Sequence, residues 1–396
     1  MDMKVTDKDI SFMKRALTLA AKARGITSPN PMVGAVIVKN DRIIAEDYHK
    51  KPGELHAEAL AILHAKEKAK GSTLYVTLEP CCHLDKRTPP CTKAIINAGI
   101  KKVFIAMKDP NPKVSGRGIE ELRKHGVEVV DGLQEREAQR LNEAYCKYIT
   151  AGRPFVILKV AMTLDGKIAT PEGQSKWITG KSARELVHRM RCNVDAVLTA
   201  IGTVKADNPE LTARHRKGAK SPVRIIIDPH LETPLDYKVF NTPPETIVVT
   251  KKIGTITGNP TIPPLVKRGK GGFAKKEKVK ALSDKGIKII AYEGARVDLR
   301  WLMRILGAMG ITSLMIEGGS SLNAYALQDG IVDKVAFFIA PKIMGGKDSI
   351  PAVGGEVFRR LEDAYRVHDL KIKRTGDDLM IEGYLQAKTS CPKYPF

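Results

Sequence analysis

His56-Ala57-Glu58, Pro80-Cys81 and Cys91 place an imidazole, two thiols and a carboxylate within one short stretch of chain. A histidine and two cysteines can hold Zn²⁺ in a tetrahedral site that keeps its fourth position for water, and a nearby glutamate outside the ligand set can shuttle protons. Zinc lowers the pKa of such a water to roughly 7, so a nucleophile is available at neutral pH. Hydrolytic deamination needs this donor set. A structural zinc site is the bland alternative, but such sites generally use four protein ligands and have no adjacent free glutamate. The deaminase signature spaces its cysteines as Pro-Cys-x-x-Cys, whereas nine residues separate Cys81 from Cys91. Cys82 and His83 inside that loop are rival ligands. Cys81 is preferred because it directly follows proline.

Elements that could carry these groups surround them. Val33 to Val38 reads as a buried strand, Lys39-Asn40-Asp41-Arg42 as a turn and Ile43-Ile44-Ala45 as the return strand. His56 and Glu58 open a run from Ala57 to Lys70 whose Ala59, Leu60, Ile62 and Leu63 suit a buried helix ended by Gly71. Leu74 to Leu78 is a strand that delivers Glu79-Pro80-Cys81 at its carboxyl end, and Cys91 opens a helix from Thr92 to Ala98. Both thiols therefore approach one point. Upstream, Thr6-Asp7-Lys8-Asp9 has capping-box form and starts a helix that stops at Gly25. Val103 to Met107 is a further strand, Ile119 to His125 a helix, and Gln134 to Tyr148 the last helix before Thr150-Ala151-Gly152-Arg153-Pro154 breaks the pattern. A domain boundary belongs there.

Alternation of strand and helix continues beyond the break. Phe155 to Ala161 is a strand whose only charge is Lys159, Ser182 to Arg191 a helix, and Ala196 to Ala200 a strand that runs into a polar loop from Ile201 to Pro209. Open α/β sheets bind ligands at such carboxyl ends. Residues 224–228, 247–249 and 287–291 supply more strands, and Asp298 caps a helix that Gly310 ends. Leu314-Met315-Ile316 then leads through Glu317-Gly318-Gly319-Ser320-Ser321 into a helix through Leu327. Glycines between strand and helix let backbone N–H groups approach a phosphate. No G-x-G-x-x-G follows a strand, so an ordinary dinucleotide site is not supported.

The chain has 396 residues, enough for two full cores. Its first residues lack the apolar region of a signal peptide and no apolar run reaches membrane-spanning length, which reads as a soluble cytoplasmic protein. The six cysteines, at 81, 82, 91, 146, 192 and 391, form no disulfide framework. Net charge is +22, which invites a nucleic-acid reading. Between Lys251 and Lys280, however, nine Lys or Arg face one acidic residue, so over a third of the excess sits in one stretch. Gly254 to Phe273 within it is rich in Gly, Pro and Thr and reads as an exposed loop. Charge runs alone carry little specificity.

Taken together, Ser28-Pro29-Asn30-Pro31-Met32-Val33-Gly34-Ala35, His49-x-x-Pro52-Gly53-x-x-His56-Ala57-Glu58, Thr77-Leu78-Glu79-Pro80-Cys81-Cys82-His83 and Arg87-Thr88-Pro89-Pro90-Cys91 closely resemble the bacterial RibD family of riboflavin biosynthesis. Leu164-Asp165-Gly166-Lys167-Ile168-Ala169, Gly202-Thr203-Val204 with Asp207-Asn208-Pro209, Glu317-Gly318-Gly319 and Ala340-Pro341-Lys342 with Gly345-Gly346 resemble its reductase half, in that order. The resemblance spans nearly all of residues 5–385 apart from the basic segment. It implies an α/β chain with an N-terminal cytidine-deaminase-like three-layer domain over 1–150 and a C-terminal dihydrofolate-reductase-like α/β domain over 151–390, the latter carrying a basic loop insertion near 254–275. It implies His56, Cys81 and Cys91 as ligands of one zinc per chain and Glu58 as the catalytic proton carrier. Asn30, His49 and His83 are candidate substrate contacts at that site. In the second half it implies Ala161, Trp177, Thr203, Asp207, Gly318, Gly319, Ser320 and Ser321 at NADPH, and Lys159, Ser175, Arg191, Leu211, Arg214 and Glu317 at the ribosyl-phosphate substrate. Arg191 and Arg214 offer forked donors for a phosphate, and Trp177 a flat face for a ring.

The activity so implied is hydrolytic deamination of a diaminopyrimidinone carrying a ribosyl phosphate, followed by NADPH-dependent reduction of the ribose to ribityl. The expected partner is that small molecule, with neither nucleic acid nor membrane, and the expected assembly a homo-oligomer. Two other classes compete. A deaminase of RNA bases with a basic C-terminal module predicts aromatic residues interleaved with the charges for base stacking, yet the basic segment has only Phe273. A non-catalytic zinc-stabilised protein would need neither Glu58 nor the ordered second set of motifs.

Overall fold

The computed structural model describes residues 5–82, 89–215, 220–252, 273–355 and 360–385. Contacts divide the chain into two compact units that meet in sequence at Arg153 and Pro154. In the first unit the chain runs through α1 (Asp7–Ala21), β1 (Gly34–Lys39), β2 (Arg42–Tyr48), α2 (Ala57–Ala65), β3 (Thr73–Leu78), α3 (Cys91–Asn97), β4 (Lys102–Met107), α4 (Arg117–Lys124), β5 (Glu128–Asp131), α5 (Glu135–Leu141) and α6 (Glu143–Ala151). Its sheet has the order β2-β1-β3-β4-β5, with β1 antiparallel to both neighbours and β3, β4 and β5 parallel. The capping box at Thr6 closes in both directions, Asp9 N–H donating to Thr6 Oγ1 at 3.2 Å and Thr6 N–H to Asp9 Oδ2 at 2.8 Å.

Residues 34–38 are buried without alternation, as befits a strand with both faces covered. α1 packs on β1 and β3, whereas α2 packs on β1 and β2 with α3 beside it. Gly34 makes the first of these contacts possible. A Cβ there would sit 2.1 Å from the Ala16 carbonyl oxygen, so any other residue would push α1 off the sheet.

Two expectations for this unit need correction. The helix expected over Gln134–Tyr148 is two helices, because Asn142 leaves the helical path at φ −105° and turns its side chain to Met32, accepting from Met32 N–H at 2.8 Å and donating to Met32 C=O at 3.0 Å. A side-chain amide that offers the backbone an alternative partner competes with helix continuation. The helix expected to run to Lys70 ends at Ala65, where Lys66 adopts φ +50° and a short 3₁₀ turn follows.

The second unit comprises β6 (Phe155–Thr163), β7 (Lys167–Ala169), α7 (Lys181–Cys192), β8 (Ala196–Ala200), α8 (Ile201–Asp207), β9 (Val223–Ile227), α9 (Lys238–Asn241), β10 (Thr246–Lys251), α10 (Phe273–Asp284), β11 (Lys288–Tyr292), α11 (Leu299–Ala308), β12 (Ser313–Ile316), α12 (Ser320–Gln328), β13 (Lys334–Ala340), β14 (Ile350–Pro351), β15 (Val367–Thr375) and β16 (Asp378–Leu385). Nine strands form one sheet in the order β11-β10-β9-β8-β12-β6-β13-β16-β15. It is parallel from β11 to β13 and closes with β16 and β15 antiparallel. β14 pairs with β7 in a separate two-stranded ribbon. Because β12 lies between β8 and β6, the carboxyl ends of these three strands, at Ala200, Ile316 and Lys159 to Thr163, fall side by side.

The polar loop expected after β8 is helical. Its sequence has weak helix propensity, and burial of Val204 at 0% exposure anchors it instead, with Asn208 ending the turn at φ +41°. The strands expected from sequence omit β5, β7, β13, β14, β15 and β16, and the helices omit α9 and α10. Of the basic loop expected near 254–275, residues 254–272 lie outside the described residues, while 273–275 already belong to α10, so the expected loop overran its end. Among the described residues no helix is long and apolar enough to cross a membrane.

Candidate active sites

In the first unit His56 caps α2, Cys81 follows β3 and Cys91 opens α3. Their ligand atoms all lie within 4.8 Å of one another. His56 Nδ1 is 3.2 Å from Cys91 Sγ and 3.6 Å from Cys81 Sγ. Bonds near 2.0 and 2.3 Å about a tetrahedral zinc would separate nitrogen and sulfur by roughly 3.5 Å, so the donor set fits the ion. Cys82 is not part of this group, which separates the rival ligands within the described residues. The two ligand segments are braced directly, Thr92 N–H donating to the Cys81 carbonyl at 3.3 Å. Hydrogen bonds from Cys91 and His56 outweigh burial and hold the Cys81 thiol down at about 3, while that same pairing, with burial, pushes Cys91 up.

Glu58 stands in the first turn of α2, 3% exposed, and is not among the three ligands. Burial raises its pKa above the ordinary carboxylate range against the opposing pull of His56. A carboxyl raised in this way is better suited to taking up and returning a proton than an exposed one. Asn30 and His49 meet on the same side of the unit. His49 Nδ1 lies 3.2 Å from the Leu55 carbonyl, which can only accept, so Nδ1 carries the proton and Nε2 accepts from Asn30 Nδ2 at 3.1 Å. The His49 ring stands edge-on to His56 at 5.5 Å. His83 lies outside the described residues.

In the second unit one cleft of about 940 Å³ is lined by all fourteen reductase residues that the resemblance implies. Glu317, at the end of β12, is its most constrained charge. Arg191 meets it with Nε at 2.6 Å and Nη2 at 3.0 Å, and Lys159 Nζ lies 3.4 Å away, with all three side chains at most 15% exposed. Burial alone would raise the Glu317 pKa, but Arg191 and Lys159 outweigh it and hold the carboxyl at about 2. The fork of Arg191 is thus spent on a carboxylate, and its Nη1 donates to the Thr212 carbonyl at 3.0 Å. Arg214, by contrast, is 57% exposed, and among the described residues its guanidinium meets only the rim carboxylate of Glu210, at 2.7 Å. Leu211, three residues before Arg214, holds φ +53°, a left-handed conformation that costs a non-glycine residue on the order of 1 kcal/mol.

Across the cleft Ser175 Oγ donates to Asp207 Oδ1 at 3.2 Å, and Trp177 is 64% exposed with Arg184 stacked at 4.4 Å from its ring centre. The glycine turn has little spare room. A Cβ on Gly318 would lie 2.7 Å from Leu322 Cδ2, and one on Gly319 would face Thr203 Oγ1 at 3.7 Å. Ser320 Oγ is buried with no hydrogen-bond partner among the described residues. A cramped glycine turn beside an orphaned hydroxyl at a helix start fits a cofactor phosphate.

Sequence reasoning missed His188, which also lines the cleft. Its Nδ1 is 3.1 Å from the Thr212 carbonyl and 3.3 Å from Arg214 N, tying α7 to the segment that carries Leu211 and Arg214. Its place one helical turn before Arg191 was the available signal.

Comparison with known proteins agrees with this division of labour. Residues 6–107 match the cytidine and deoxycytidylate deaminase zinc-binding region, and residues 154–381 match the RibD C-terminal domain. The chain is 46% identical to riboflavin biosynthesis protein RibD of Actinobacillus pleuropneumoniae over 382 residues, covering 95% of each, and 36% identical to that of Escherichia coli (strain K12) over 390 residues, covering 94% and 98%. Acinetobacter baumannii RibD superposes with a TM-score of 0.82 at 34% identity over 96% of this chain and 99% of that one. A diaminohydroxyphosphoribosylaminopyrimidine deaminase/5-amino-6-(5-phosphoribosylamino)uracil reductase from Thermotoga maritima superposes at 0.78 with 37% identity over 95% and 98%. A zinc-binding deaminase match on the first unit, a reductase match on the second, and relatives aligned almost end to end lead to one conclusion: the chain belongs to the RibD family, the bifunctional deaminase/reductases of riboflavin biosynthesis.

Proposed function

We propose that the two activities act in turn on one small molecule, a diaminopyrimidinone bearing a ribosyl phosphate, and that NADPH is the reductant. The carrying observation is that each half of the reaction has its own convergent set of side chains in its own unit: three ligand atoms within 4.8 Å beside a buried Glu58, and a cleft lined by every proposed reductase residue.

In the first site His56, Cys81 and Cys91 would hold zinc, which when bound activates water for attack and so supplies the nucleophile. Glu58 would take a proton at its carboxylate and return it to the departing amine, a task suited to its raised pKa. Asn30 and His49 would orient the ring. His49 has its tautomer set by Leu55, so Asn30 is held with one amide hydrogen spent and its remaining donor and acceptor available.

In the second site the cleft residues would hold NADPH, which when bound would supply the hydride for reduction of the ribosyl group. The turn from Gly318 to Ser321 would receive a cofactor phosphate, with Thr203 and Asp207 beside it and Trp177 against a ring. Arg214 is the donor best placed for the substrate phosphate because its guanidinium is exposed, whereas Arg191, Lys159 and Glu317 would form a fixed charged wall. A cytoplasmic location and a homo-oligomeric assembly belong to the same proposal and are open to fractionation and sedimentation. The test of the whole is incubation of pure protein with the diaminopyrimidinone phosphate, with and without NADPH, and product masses. Ammonia release alone without NADPH, and a further gain of two hydrogens with it, are expected; product unchanged by NADPH would contradict the second half.

A further inference from the structure

Glu79 is 2% exposed, yet its carboxylate belongs neither to the ligand set nor to an ion pair among the described residues. It accepts four backbone N–H groups, those of Gly118 at 3.0 Å and Ile119 at 3.3 Å on Oε1 and those of Asp109 at 3.1 Å and Gly116 at 2.9 Å on Oε2. All four donors lie on one segment, 109–119. That segment is braced internally, Val114 N–H donating to Asn111 C=O at 2.8 Å and Arg117 N–H to Val114 C=O at 2.7 Å, and Tyr145 OH ties Asp109 to α6 at 2.9 Å. It therefore offers a rigid reference rather than a loop that follows its partner.

Only Pro80 separates Glu79 from Cys81, and proline fixes its own φ. The Pro80 carbonyl is seated as closely as its neighbour: a Cβ on Gly118 would lie 2.2 Å from Pro80 O. The Glu79 carboxylate and the Pro80 carbonyl, the two groups immediately before the thiol, are thus both seated against Gly118. We propose that Glu79 is a positioning residue for the deaminase metal, holding the Pro80-Cys81 turn against segment 109–119 so that the Cys81 thiol stands at ligand distance from His56 and Cys91. This rests on the reading of Cys81 as a zinc ligand. Removing a group that orients a metal ligand typically costs about ten- to a hundredfold in metal affinity.

The test uses the full chain. Glu79→Gln keeps the size of the side chain but replaces an acceptor oxygen with an NH₂ group, leaving two of the four N–H groups facing a donor. Zinc release to a chelator at 25 °C should accelerate about ten- to a hundredfold, the thiolate-to-metal absorption of the cobalt(II)-loaded protein should weaken or shift, and kcat for deamination should fall more than KM rises. NADPH-dependent reduction by the same preparation should be unchanged, which reports a folded second unit. A merely structural role predicts only a lower melting temperature, with zinc release and the cobalt spectrum like the parent's, and that result overturns the proposal. If the first unit of Glu79→Gln does not fold, Gly118→Ala carries the test. It keeps the carboxylate but crowds both the Pro80 carbonyl, at 2.2 Å, and the Glu79 side chain, at 3.2 Å, and parent-like zinc release in that variant also overturns the proposal. Cys81→Ser separates the underlying reading, since full zinc retention there would refute the ligand assignment rather than the role of Glu79.

Discussion

Glu317→Gln tests the charged wall of the reductase cleft. The substitution preserves shape but removes the single negative charge between Arg191, at 2.6 and 3.0 Å, and Lys159, at 3.4 Å. Both cations keep only 13–15% of their side-chain exposure, so water cannot replace the carboxylate fully. Breaking a buried ion pair from one side costs about 3–5 kcal/mol. The residual exposure argues for the lower end, and about 3 kcal/mol in a unit of this size lowers Tm by roughly 6–12 °C. Inorganic phosphate should restore part of the loss by pairing with the freed cations. The pH dependence has a definite sign. Glu317 in the fold titrates at about 2, below its ordinary value of 4.5, so its contribution is complete above pH 4.5 and disappears as pH falls through the folded value. The gap between parent and Glu317→Gln should therefore be full at pH 7 and narrow on acidification below about 4.5. Calorimetry of both proteins at pH 7 and about pH 3, between the two values, reads this directly. A variant melting within about 2 °C of the parent at pH 7, a shift worth at most ~1 kcal/mol, would show that the wall is not held by charge.

Other outcomes follow from the same geometry. The purified chain should carry about one zinc, lost in Cys91→Ser; full retention would move the ligand role to Cys82 or His83. Gly318→Val should weaken NADPH binding, seen in fluorescence titration, because its first methyl-bearing carbon would lie 2.7 Å from Leu322 Cδ2, while ammonia release continues; unchanged affinity would remove the turn from the cofactor site.

How much was legible in advance depended on the scale of the signal. The ligand triad and its elements could be read because each donor sits at an element end marked by local sequence: His56 before a helix, Cys81 after a strand, Cys91 at a helix start. The capping box at Thr6 and the Asp298 cap were likewise local, and both hold. What could not be read was tertiary. Asn142 breaks a helix to reach Met32, 110 residues away, and nothing in its neighbourhood announces that partner. Glu79 looks like one more residue of a motif until its four donors from 109–119 are seen. Arg191 offers a phosphate fork in sequence, but in the fold that fork closes on Glu317. Edge strand β15 escaped because most of its residues are exposed and its pattern is therefore polar. β13 is, after Lys334, an apolar run from Val335 to Ala340 whose signal was present and was passed over.

The central claim is that the two reactions use separate side chains in separate units, and Glu58→Gln probes it most directly. The substitution removes the proton carrier, keeps its size and leaves His56, Cys81 and Cys91 in place. With zinc content and melting temperature measured on the same preparation, ammonia release from the diaminopyrimidinone phosphate should be abolished while NADPH oxidation with already deaminated substrate proceeds at the parent's rate. Loss of both reactions in a folded, zinc-loaded protein would contradict the account and require a single shared site.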